Sequence, residues 1–543
     1  MKLILKYIAF YLKVNQLKNN LFSIQSLNEK ISFFIQKPLE LTLFLILILV
    51  GANTNAQIRI GDLHYRNDTT GQSYELNKSA HSSVKPYITQ DKLSFYQSKG
   101  ILTGYSKVGM DCSVAVPNSR FYPLVNLTSG FDNTNNLTYT AGLGLGIDYG
   151  TENFFVTGKL LPYYTKNNYV TDSVIQFSNV LPGSGQALSP NIFQNSELMA
   201  VFKVNKFFTF IGGYGKNFFG EGYRSLLLSD NAAANPFFKI ETSFSSIKYV
   251  NLYQVWRDIY QPPNQQPANA LKFSASHYLS WNITKDFNLS IFETVVMGGK
   301  DSLSNRGFDL NYLNPVVFYR PVEYSTGSAD NVLLGVNMSY KTRYNQTFYY
   351  QLILDEFLLS ELKSGNNWWA NKFGMQFGFK AKDFLIDDLY FQTEFNFVRP
   401  FTYSHKHSAQ NYGHLNAAAA HPIGANFYEL VNIISYKKGK HQFTNKITYS
   451  AYGIDSSAVN YGQNIFHSYA DRDGNYGHEI LQGLKTNVFN NHLIYEYSIL
   501  PKINLFVTAQ YNFRFEINKS HSSTNHFFQI GLKSRIWNCY TDF

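Results

Sequence analysis

Residues 505–515 read LFVTAQYNFRF and alternate between apolar and polar side chains from Val507 onward. Neighbouring side chains in an extended strand point to opposite faces, so this period of two predicts a strand that separates two different surroundings. The apolar face needs a hydrophobic neighbour, and the polar face needs water or packed polar groups. One face carries Leu505, Val507, Ala509, Tyr511, Phe513 and Phe515, and the other carries Thr508, Gln510, Asn512 and Arg514.

The same period returns at residues 373–380 (FGMQFGFK) and 389–397 (LYFQTEFNF). Aromatic residues make up 17% of the 543 residues, and charged residues only 15%, well below the roughly 25% of soluble domains. Aromatic, weakly charged strands of this kind favour a wall with lipid outside and a polar lumen. We therefore expect an all-β, transmembrane outer-membrane β-barrel over 105–543, with about eighteen antiparallel strands in a range of about 16–20.

Turn residues divide the expected barrel into short and long connections. Short turns are expected at residues 285–286, 438–440 and 501–502, and longer connections near 166–195, 300–329, 402–423 and 456–480. Such an alternation is typical of outer-membrane barrels. Phe543 is a terminal aromatic residue of the kind that outer-membrane assembly machinery recognises, and the last strand is expected over 525–538. This machinery and outer-membrane lipid are therefore expected partners.

The first residues predict export. Residues 41–50 (LTLFLILILV) suit the apolar region of a signal peptide and are too short to span a bilayer. The small residues Thr54, Asn55 and Ala56 follow, so we expect a signal peptide over 1–56 and cleavage after Ala56. The 40 residues ahead of the apolar run are longer than such a peptide needs, which also fits a start assigned too early. Residues 57–104 are mixed and polar and are expected to form a periplasmic N-terminal segment.

Charge and cysteine content exclude several classes of function. The formal net charge is +10, and residues 1–56 hold six Lys and two Glu, which leaves about +6 spread over the rest. This pattern offers no dense basic patch for nucleic acid. Cys112 and Cys539 form no CxxC pair; a disulfide between them and two separate thiols both remain open. The chain has no GxSxG or HExxH motif, so we expect no enzyme activity and no cofactor.

Residues 213–239 (GYGKNFFGEGYRSLLLSDNAAANPFFK) interrupt the alternating pattern. Their glycines permit tight turns, and Leu226, Leu227 and Leu228 would be an aggregation hazard in a solvated loop. We therefore expect this stretch to connect two strands, fold into or over the barrel and help to close the lumen. Arg224 and Asp230 are expected to pair inside.

Several blocks resemble the RemB family of gliding-motility proteins, which is similar to the Wzi-type capsule-assembly outer-membrane proteins. The blocks are GKNFFGEGYRSLLLSDNAAANPFFKI (215–240), GFDLNYLNPVVFYRPVEY (307–324), GSADNVLLGVNMSYK (327–341), LILDEFLLSEL (352–362), WWANKFGMQFG (368–378) and NYGHLNAAAAHPIGANFYEL (411–430). The resemblance implies an outer-membrane barrel with a polar or plugged lumen at a surface where polysaccharide is handled.

The function that follows is a non-enzymatic outer-membrane barrel involved in surface or capsular polysaccharide organisation and in gliding motility. A porin or transporter for small solutes is the alternative, and a surface hydrolase lacks a supporting motif. Basic side chains would contact an acidic glycan through charge-assisted hydrogen bonds. The candidate glycan-binding residues are Lys216, Arg224, Asp230, Asn231, Arg320, Glu323, Trp368, Trp369, Lys380, His414, Lys446 and Arg514.

Other clusters favour structural roles. Asp355 and Glu356 would point to opposite faces of a strand, so ion pairing is favoured over paired catalytic carboxylates. The spacing of His405, His414 and His421 matches no zinc pattern. The calcium-like run DRDGN (471–475) lacks the glycine and glutamate that the pattern needs. No metal is therefore expected. Trp368 and Trp369 suit either a membrane-interface girdle or stacking on a sugar ring.

Overall fold

The computed structural model describes residues 81–86, 118–133, 136–150, 153–166, 180–181, 185–189, 191–259, 270–299, 307–315, 330–456, 459–535, 537–538, 540 and 542. The expected signal peptide and its cleavage site, both cysteines, Arg320, Glu323 and Phe543 lie outside these residues. Of the segment expected to be periplasmic, the structure describes only 81–86, and its expected boundary at 104 lies outside the described residues.

Eighteen long antiparallel strands form a closed barrel, as the sequence predicts. The first and last strands pair with each other over Asn126–Asp132 and Phe527–Lys533, which closes the wall. The strands are β1 Asn118–Asp132, β2 Leu137–Gly150, β3 Phe154–Lys166, β4 Ile192–Lys203, β5 Phe208–Gly215, β6 Asn235–Phe244, β7 Ile247–Asp258, β8 Ala270–Asn282, β9 Phe287–Gly298, β10 Asn331–Lys341, β11 Gln346–Glu356, β12 Lys372–Lys382, β13 Leu389–Val398, β14 Phe427–Lys438, β15 His441–Ile454, β16 Leu484–Leu500, β17 Leu505–Ile517 and β18 Ser522–Ser534.

The remaining elements are short. A hairpin strand, Gly185–Ser189, pairs with Val180–Leu181 and with the start of β4. Two-residue strands pair Val84–Lys85 with Phe218–Phe219 and Gly413–His414 with Ala417–Ala418. An α-helix covers Leu359–Ser364, and 3₁₀ turns cover Leu310–Leu313, Ser408–Gln410, Tyr469–Asp471 and Pro501–Ile503. Among the described residues, no helix has both the length and the apolar character to cross a membrane.

The predicted faces of the strands are confirmed. On β12 and β13, Gln376, Glu394 and Asn396 point into the lumen and are almost completely buried. Phe377 and Phe395, one residue away, are 49% and 38% exposed on the outside. Lipid on one side of the wall and packed polar groups on the other explain the period of two.

Connections differ between the two ends of the barrel. At one end, here the short-turn end, strands join through tight turns such as 245–246 between β6 and β7 and 439–440 between β14 and β15. At the other end, the long-loop end, the connections include 216–234, 399–426 and 455–483. Long connections face the cell exterior in outer-membrane barrels.

One sector of the outer wall departs from the apolar pattern. Asn251, His277 and Glu293 are register partners on β7, β8 and β9 and occupy outward-facing positions. Each is only 2% exposed. Charged and amide groups are costly against lipid, so this polar row needs a cover.

Residues 307–315, here called the outer strap, lie against this sector of the wall. Tyr249 Oη donates to the Pro315 carbonyl at 2.8 Å, and Tyr253 Oη donates to the Leu313 carbonyl at 3.3 Å. Phe308 packs edge-on against the Tyr253 ring, and Tyr312 is buried in the same apolar cluster. The longer connection expected near 300–329 therefore lies, in its described part, against the barrel wall.

The two faces of β17 provide a direct test of the membrane orientation. Tyr511 lies at the middle of the strand on the outer face, whereas Gln510 points into the lumen beside His492. Tyr511→Arg is expected to cost about 2–4 kcal/mol because it places a charge near the midplane of the bilayer. Gln510→Arg is expected to cost little. Folding yield into lipid vesicles measures both, and equal yields would mean that the faces are reversed.

Candidate functional site

Residues 216–234, here called the lumen segment, run through the interior of the barrel. The segment leaves β5 at Gly215 and returns to β6 at Asn235, and these two residues are register partners. Every residue from Asn217 to Ala233 is buried. At Gly222 a Cβ atom would lie 2.3 Å from Glu394 Oε2, so only glycine allows this close approach to β13. The expectation that this stretch folds into the barrel is confirmed.

Three leucines anchor the lumen segment in an apolar cluster. Leu226, Leu227 and Leu228 are at most 2% exposed, and burial stabilises each by about 1.5–3 kcal/mol. Gly335 on β10 leaves room for them, because a Cβ atom there would lie 2.4 Å from Leu227 Cδ2. Two tyrosines provide hydrogen-bond donors for backbone carbonyls of the segment. Tyr403 Oη donates to the Leu226 carbonyl and Tyr412 Oη donates to the Leu227 carbonyl, both at 2.8 Å.

Both tyrosines belong to a second connection that folds inward, residues 399–426, here called the 399–426 loop. The two segments are joined through their backbones, since Ser229 N donates to the Ala419 carbonyl at 2.8 Å. The Asn231 amide donates to the Ala418 carbonyl at 3.0 Å. Ala418, Ala419 and Ala420 are small enough to pack against the leucines in one core cluster. The lumen is therefore crossed by two interlocked segments.

A buried ion-pair cluster joins the lumen segment to β14. Arg224 Nη2 lies 2.9 Å from Glu429 Oε1 and 3.5 Å from Asp542 Oδ1, and His421 Nε2 lies 2.7 Å from Glu429 Oε2. Burial disfavours the charged form of Arg224, but Asp542 and Glu429 outweigh it and raise its pKa well above the usual value. Burial lowers the pKa of His421. The cluster therefore holds Arg224 as a permanent cation.

A second cluster lies toward the short-turn end. Lys380 Nζ, near the end of β12, is 2.9 Å from Glu221 Oε2. Ser82 donates to the other oxygen of this carboxylate, and Lys85 Nζ donates to the Gly220 carbonyl at 3.0 Å. Burial opposes ionisation of Glu221, but the nearby lysines outweigh it and hold its pKa at about 2. Residues 81–86 are therefore packed inside the barrel against the lumen segment.

The residues after the last strand also reach the lumen segment. This strand ends at Ser534, four residues before its expected end at Asn538. Asn538 and Tyr540 donate to the two oxygens of Asp230, at 2.6 and 2.5 Å. Tyr223 Oη donates to Asp542 at 2.5 Å. The expected pairing of Arg224 with Asp230 is therefore wrong, because each of the two side chains binds a different partner.

The candidate glycan-binding residues lie in different parts of the barrel. Arg224, Lys380 and Lys446 lie deep in the lumen, where Lys446 Nζ is 3.3 Å from Tyr223 Oη. Lys216, Asp230 and Asn231 lie on the lumen segment, and Lys216 Nζ donates to the Asp230 carbonyl at 2.9 Å. The structure brings these six onto or against one segment.

Four further candidates lie elsewhere. His414 accepts a hydrogen bond at Nδ1 from Arg257 N of β7 at 2.9 Å. Arg514 pairs with Glu516 on the same strand at 2.7 Å. Trp369 packs against Trp368 and lies beneath Arg472, whose Cζ is 3.9 Å from its ring centre. Arg472 comes from the 455–483 connection, so Trp369 helps to hold the loops together at the long-loop end.

Reasoning from sequence missed the carboxylates that bind the lumen segment. Glu394 accepts from the backbone nitrogens of Tyr223 and Arg224 at 2.8 and 3.1 Å. The alternation of β13 places Glu394 on the lumen face, but no local pattern names its partner. The inward fold of the 399–426 loop had no such signal, because the small residues Ala417–Ala420 suit a solvated loop as well as a buried one.

The adjacent carboxylates at the end of β11 form ion pairs. Lys372 Nζ is 3.0 Å from Asp355 Oδ1 and 3.1 Å from Glu356 Oε1, so ion pairing is confirmed. The two share one lysine because the register between β11 and β12 shifts after Leu354. Among the described residues, no group of three His, Cys, Asp or Glu side chains could hold a metal ion.

The 399–426 loop is expected to loosen in acid. Burial lowers the pKa of His414 to about 3, while an unfolded histidine titrates near 6.5. The unfolded loop therefore binds more protons as pH falls from about 6.5 to about 3, and stability is lost over that window. At pH 5 the loss from His414 is about 2 kcal/mol. Hydrogen exchange of this loop at pH 7.5 and 5 measures it.

His414→Gln keeps an acceptor for Arg257 N and is expected to reduce this pH dependence. His441→Gln, at an exposed histidine of β15, is the matched control and is expected to change nothing. Equal pH dependence in the wild type and His414→Gln would contradict the assignment to His414.

A closed antiparallel barrel with an aromatic exterior and a polar, crossed lumen defines an outer-membrane β-barrel. Its fold is similar to that of Wzi of Escherichia coli, an outer-membrane protein involved in group 1 capsule assembly and described as a carbohydrate-binding β-barrel. The TM-score is 0.52 at 11% identity, over 88% of this chain and 99% of that one.

Two outer-membrane proteins from Pseudomonas aeruginosa align less well. OprD has a TM-score of 0.42 at 8% identity, covering 76% of this chain and 94% of its own. OpdK has a TM-score of 0.42 at 10% identity, covering 77% and 98%. No protein-family model matches the chain, and no curated protein matches it in sequence.

Proposed function

We propose that this chain is a non-catalytic outer-membrane barrel that organises surface or capsular polysaccharide and thereby supports gliding motility. The fold similarity to Wzi supports the first part. The sequence blocks that resemble RemB-like proteins support the second. Outer-membrane lipid around the aromatic wall and the outer-membrane assembly machinery are its proposed partners.

The observation that carries the proposal is the way the lumen is crossed. An empty barrel of 16–18 strands leaves an aqueous channel. Here the lumen segment is tied to separate strands: to β11 through Gln351, whose Oε1 accepts from Leu226 N at 2.9 Å, to β12 through Lys380, and to β14 through Glu429. Buried pairs of this kind are costly to break. A permanently filled barrel suits a scaffold that holds a ligand at the surface.

Glycan contact is proposed for the long-loop side of the molecule. Lys216, Asp230 and Asn231, at the ends of the lumen segment, and Trp368, Trp369 and His414 on neighbouring connections are the candidates there. Arg320 and Glu323 of the β9–β10 connection remain part of the proposed set. Arg224, Lys380 and Lys446 contribute by holding the lumen segment in place, and Arg514 by its position on the lumen face of β17.

Deletion of the gene and complementation test the function. We expect the deletion strain to release surface polysaccharide into the medium and to spread less on agar, and the wild-type gene to restore both. Complementation with a matched outer-membrane porin gene is the control. Normal polysaccharide retention together with a defect in uptake of small solutes would overturn the proposal in favour of the transporter alternative.

A further inference from the structure

The connection between β11 and β12, residues 357–371, has two parts with different surroundings. Its second part is bound to the 455–483 connection, since Trp369 N donates to the Asn475 carbonyl at 3.0 Å. Its first part contains the helix Leu359–Ser364, none of whose residues is buried. The second part therefore packs against another loop, whereas the described residues leave the helix uncovered.

One side of this helix is apolar. Leu358, Leu359 and Leu362 are 47%, 53% and 44% exposed. Residues three positions apart lie on the same side of a helix, so Leu359 and Leu362 form one face, and Ser360 and Ser364 lie away from it. Clustered exposed leucines are unfavourable in water and mark a contact surface.

The apolar face continues the lipid-facing wall. Phe357, directly before the leucines, packs edge-on against the ring of Phe373, with 6.1 Å between the ring centres. Phe373 is the first residue of the outward row of β12, which continues through Met375 to Phe377. Phe377 is 49% exposed, the same fraction as the leucines of the helix. The wall and the helix therefore present one continuous apolar surface.

Charged groups show the depth of this surface in the membrane. Arg399 Cζ lies 5.7 Å from the centre of the Phe373 ring, and the side chain of Glu356, at the end of β11, is 42% exposed. Charged side chains are costly in hydrocarbon, so this level of the wall is the membrane interface. An amphipathic helix at an interface buries its apolar side chains about 5–10 Å into the boundary between headgroups and acyl chains.

We propose that the helix Leu359–Ser364 is an interfacial anchor that inserts Leu358, Leu359 and Leu362 among the acyl chains of the outer leaflet. Lys363 follows on the same helix, and its long side chain can keep its charge at the headgroups. A protein partner would need about 20–30 residues on each side, which this short helix does not provide. Part of a connection at the long-loop end thus lies in the membrane. This inference is independent of the proposed role in polysaccharide organisation.

The test uses the full chain in phosphatidylcholine vesicles, with a nitrobenzoxadiazole fluorophore on a single introduced cysteine. Leu362→Cys places the label on the apolar face, and Ser364→Cys on the other side of the same helix is the matched control. Both are made in a background with Cys112→Ser and Cys539→Ser. Nitroxide groups on the acyl chains near the headgroups quench the label on contact. We expect quenching at position 362 to be about threefold stronger than at position 364.

Two results with the labelled variants would overturn the inference. Equal quenching at both positions, in protein with the heat-modifiable gel mobility of the wild type, would mean that the leucines do not enter the membrane. A label at position 362 that is shielded from lipid, together with a cysteine crosslink between two copies at that position, would mean that the surface is a contact between barrels.

Hydrogen exchange provides a second measurement without a label. A helix of six residues is marginal in water, so its protection in vesicles depends on the lipid contact. Replacing Leu359 and Leu362 together by Ser is expected to speed exchange of the helix amides about tenfold. Replacing Ser360 and Ser364 together by Ala is the control and is expected to leave exchange unchanged. Equal exchange in the Leu→Ser variant and the wild type would contradict the anchor, and the proposed function would stand.

Discussion

Replacing residues 216–234 by a two-residue Asn-Gly turn is expected to leave the barrel inserted and to open a conducting pore. Gly215 and Asn235 are register partners, so a tight hairpin turn can rejoin β5 and β6. The replacement removes the leucine anchor and the groups that meet Lys380, Glu394 and Glu429. What remains in the 18-stranded wall is the 399–426 loop, residues 81–86 and the residues after β18, without the segment that joins them; a wall of 18 strands is wide enough for water. Single-channel recording in planar bilayers measures the effect.

The control shortens the connection that carries the helix Leu359–Ser364, whose residues are not buried. This variant is expected to keep the low conductance of the wild type. An inserted variant without the lumen segment that conducts no more than the control would show that the segment does not fill the lumen. The variant without the lumen segment is also expected to lose the surface-polysaccharide phenotype, since the candidate glycan-binding residues Lys216, Asp230 and Asn231 lie on the removed segment.

Arg224→Met is expected to cost about 3–5 kcal/mol, the largest effect of any single substitution considered. It removes the cation that the buried Glu429 and Asp542 carboxylates share, and removing one partner of a buried ion pair carries a cost of this size. Arg224 and both carboxylates are 1% exposed, so water does not compensate. Thermal unfolding in detergent gives the stability, and the frequency of channel opening reports how often the lumen segment detaches.

Arg514→Met is the matched control, because its partner Glu516 lies two residues away on the same strand and both side chains are partly exposed. We expect that change to cost at most about 1 kcal/mol. A loss for Arg224→Met no larger than for Arg514→Met would show that the buried cluster does not hold the lumen segment.

The architecture follows from local patterns that repeat. Outside the sector at the outer strap, each strand meets lipid on one face and the lumen on the other, so a few neighbouring residues, such as Gln376 and Phe377, show which face is which. The inward fold of the lumen segment was also predictable, because Leu226, Leu227 and Leu228 cannot stay in water together. In both cases, neighbouring residues carry the information.

The partners inside the lumen were not predictable in the same way. Arg224 meets Glu429, 205 positions away, and Asp230 meets Tyr540, 310 positions away. No period or motif relates residues at such separations. The sequence therefore suggested only a nearby opposite charge, Asp230, as the partner of Arg224. The sharing of Lys372 by Asp355 and Glu356 depends on a register shift that the alternating pattern does not reveal.

Because of the outer strap, the outer surface of the barrel differs from one side of its circumference to the other. On the sector formed by β7, β8 and β9, a neighbouring membrane protein would meet the outer strap, which is bound to Tyr249 and Tyr253 of β7. On the opposite sector it would meet exposed Leu493, Phe528 and Ile530. A barrel with a uniform wall could turn about the membrane normal without changing its contacts. This barrel presents different surfaces on its two sides. In any lateral array that it forms, each barrel therefore has one defined rotation about the membrane normal relative to its neighbours.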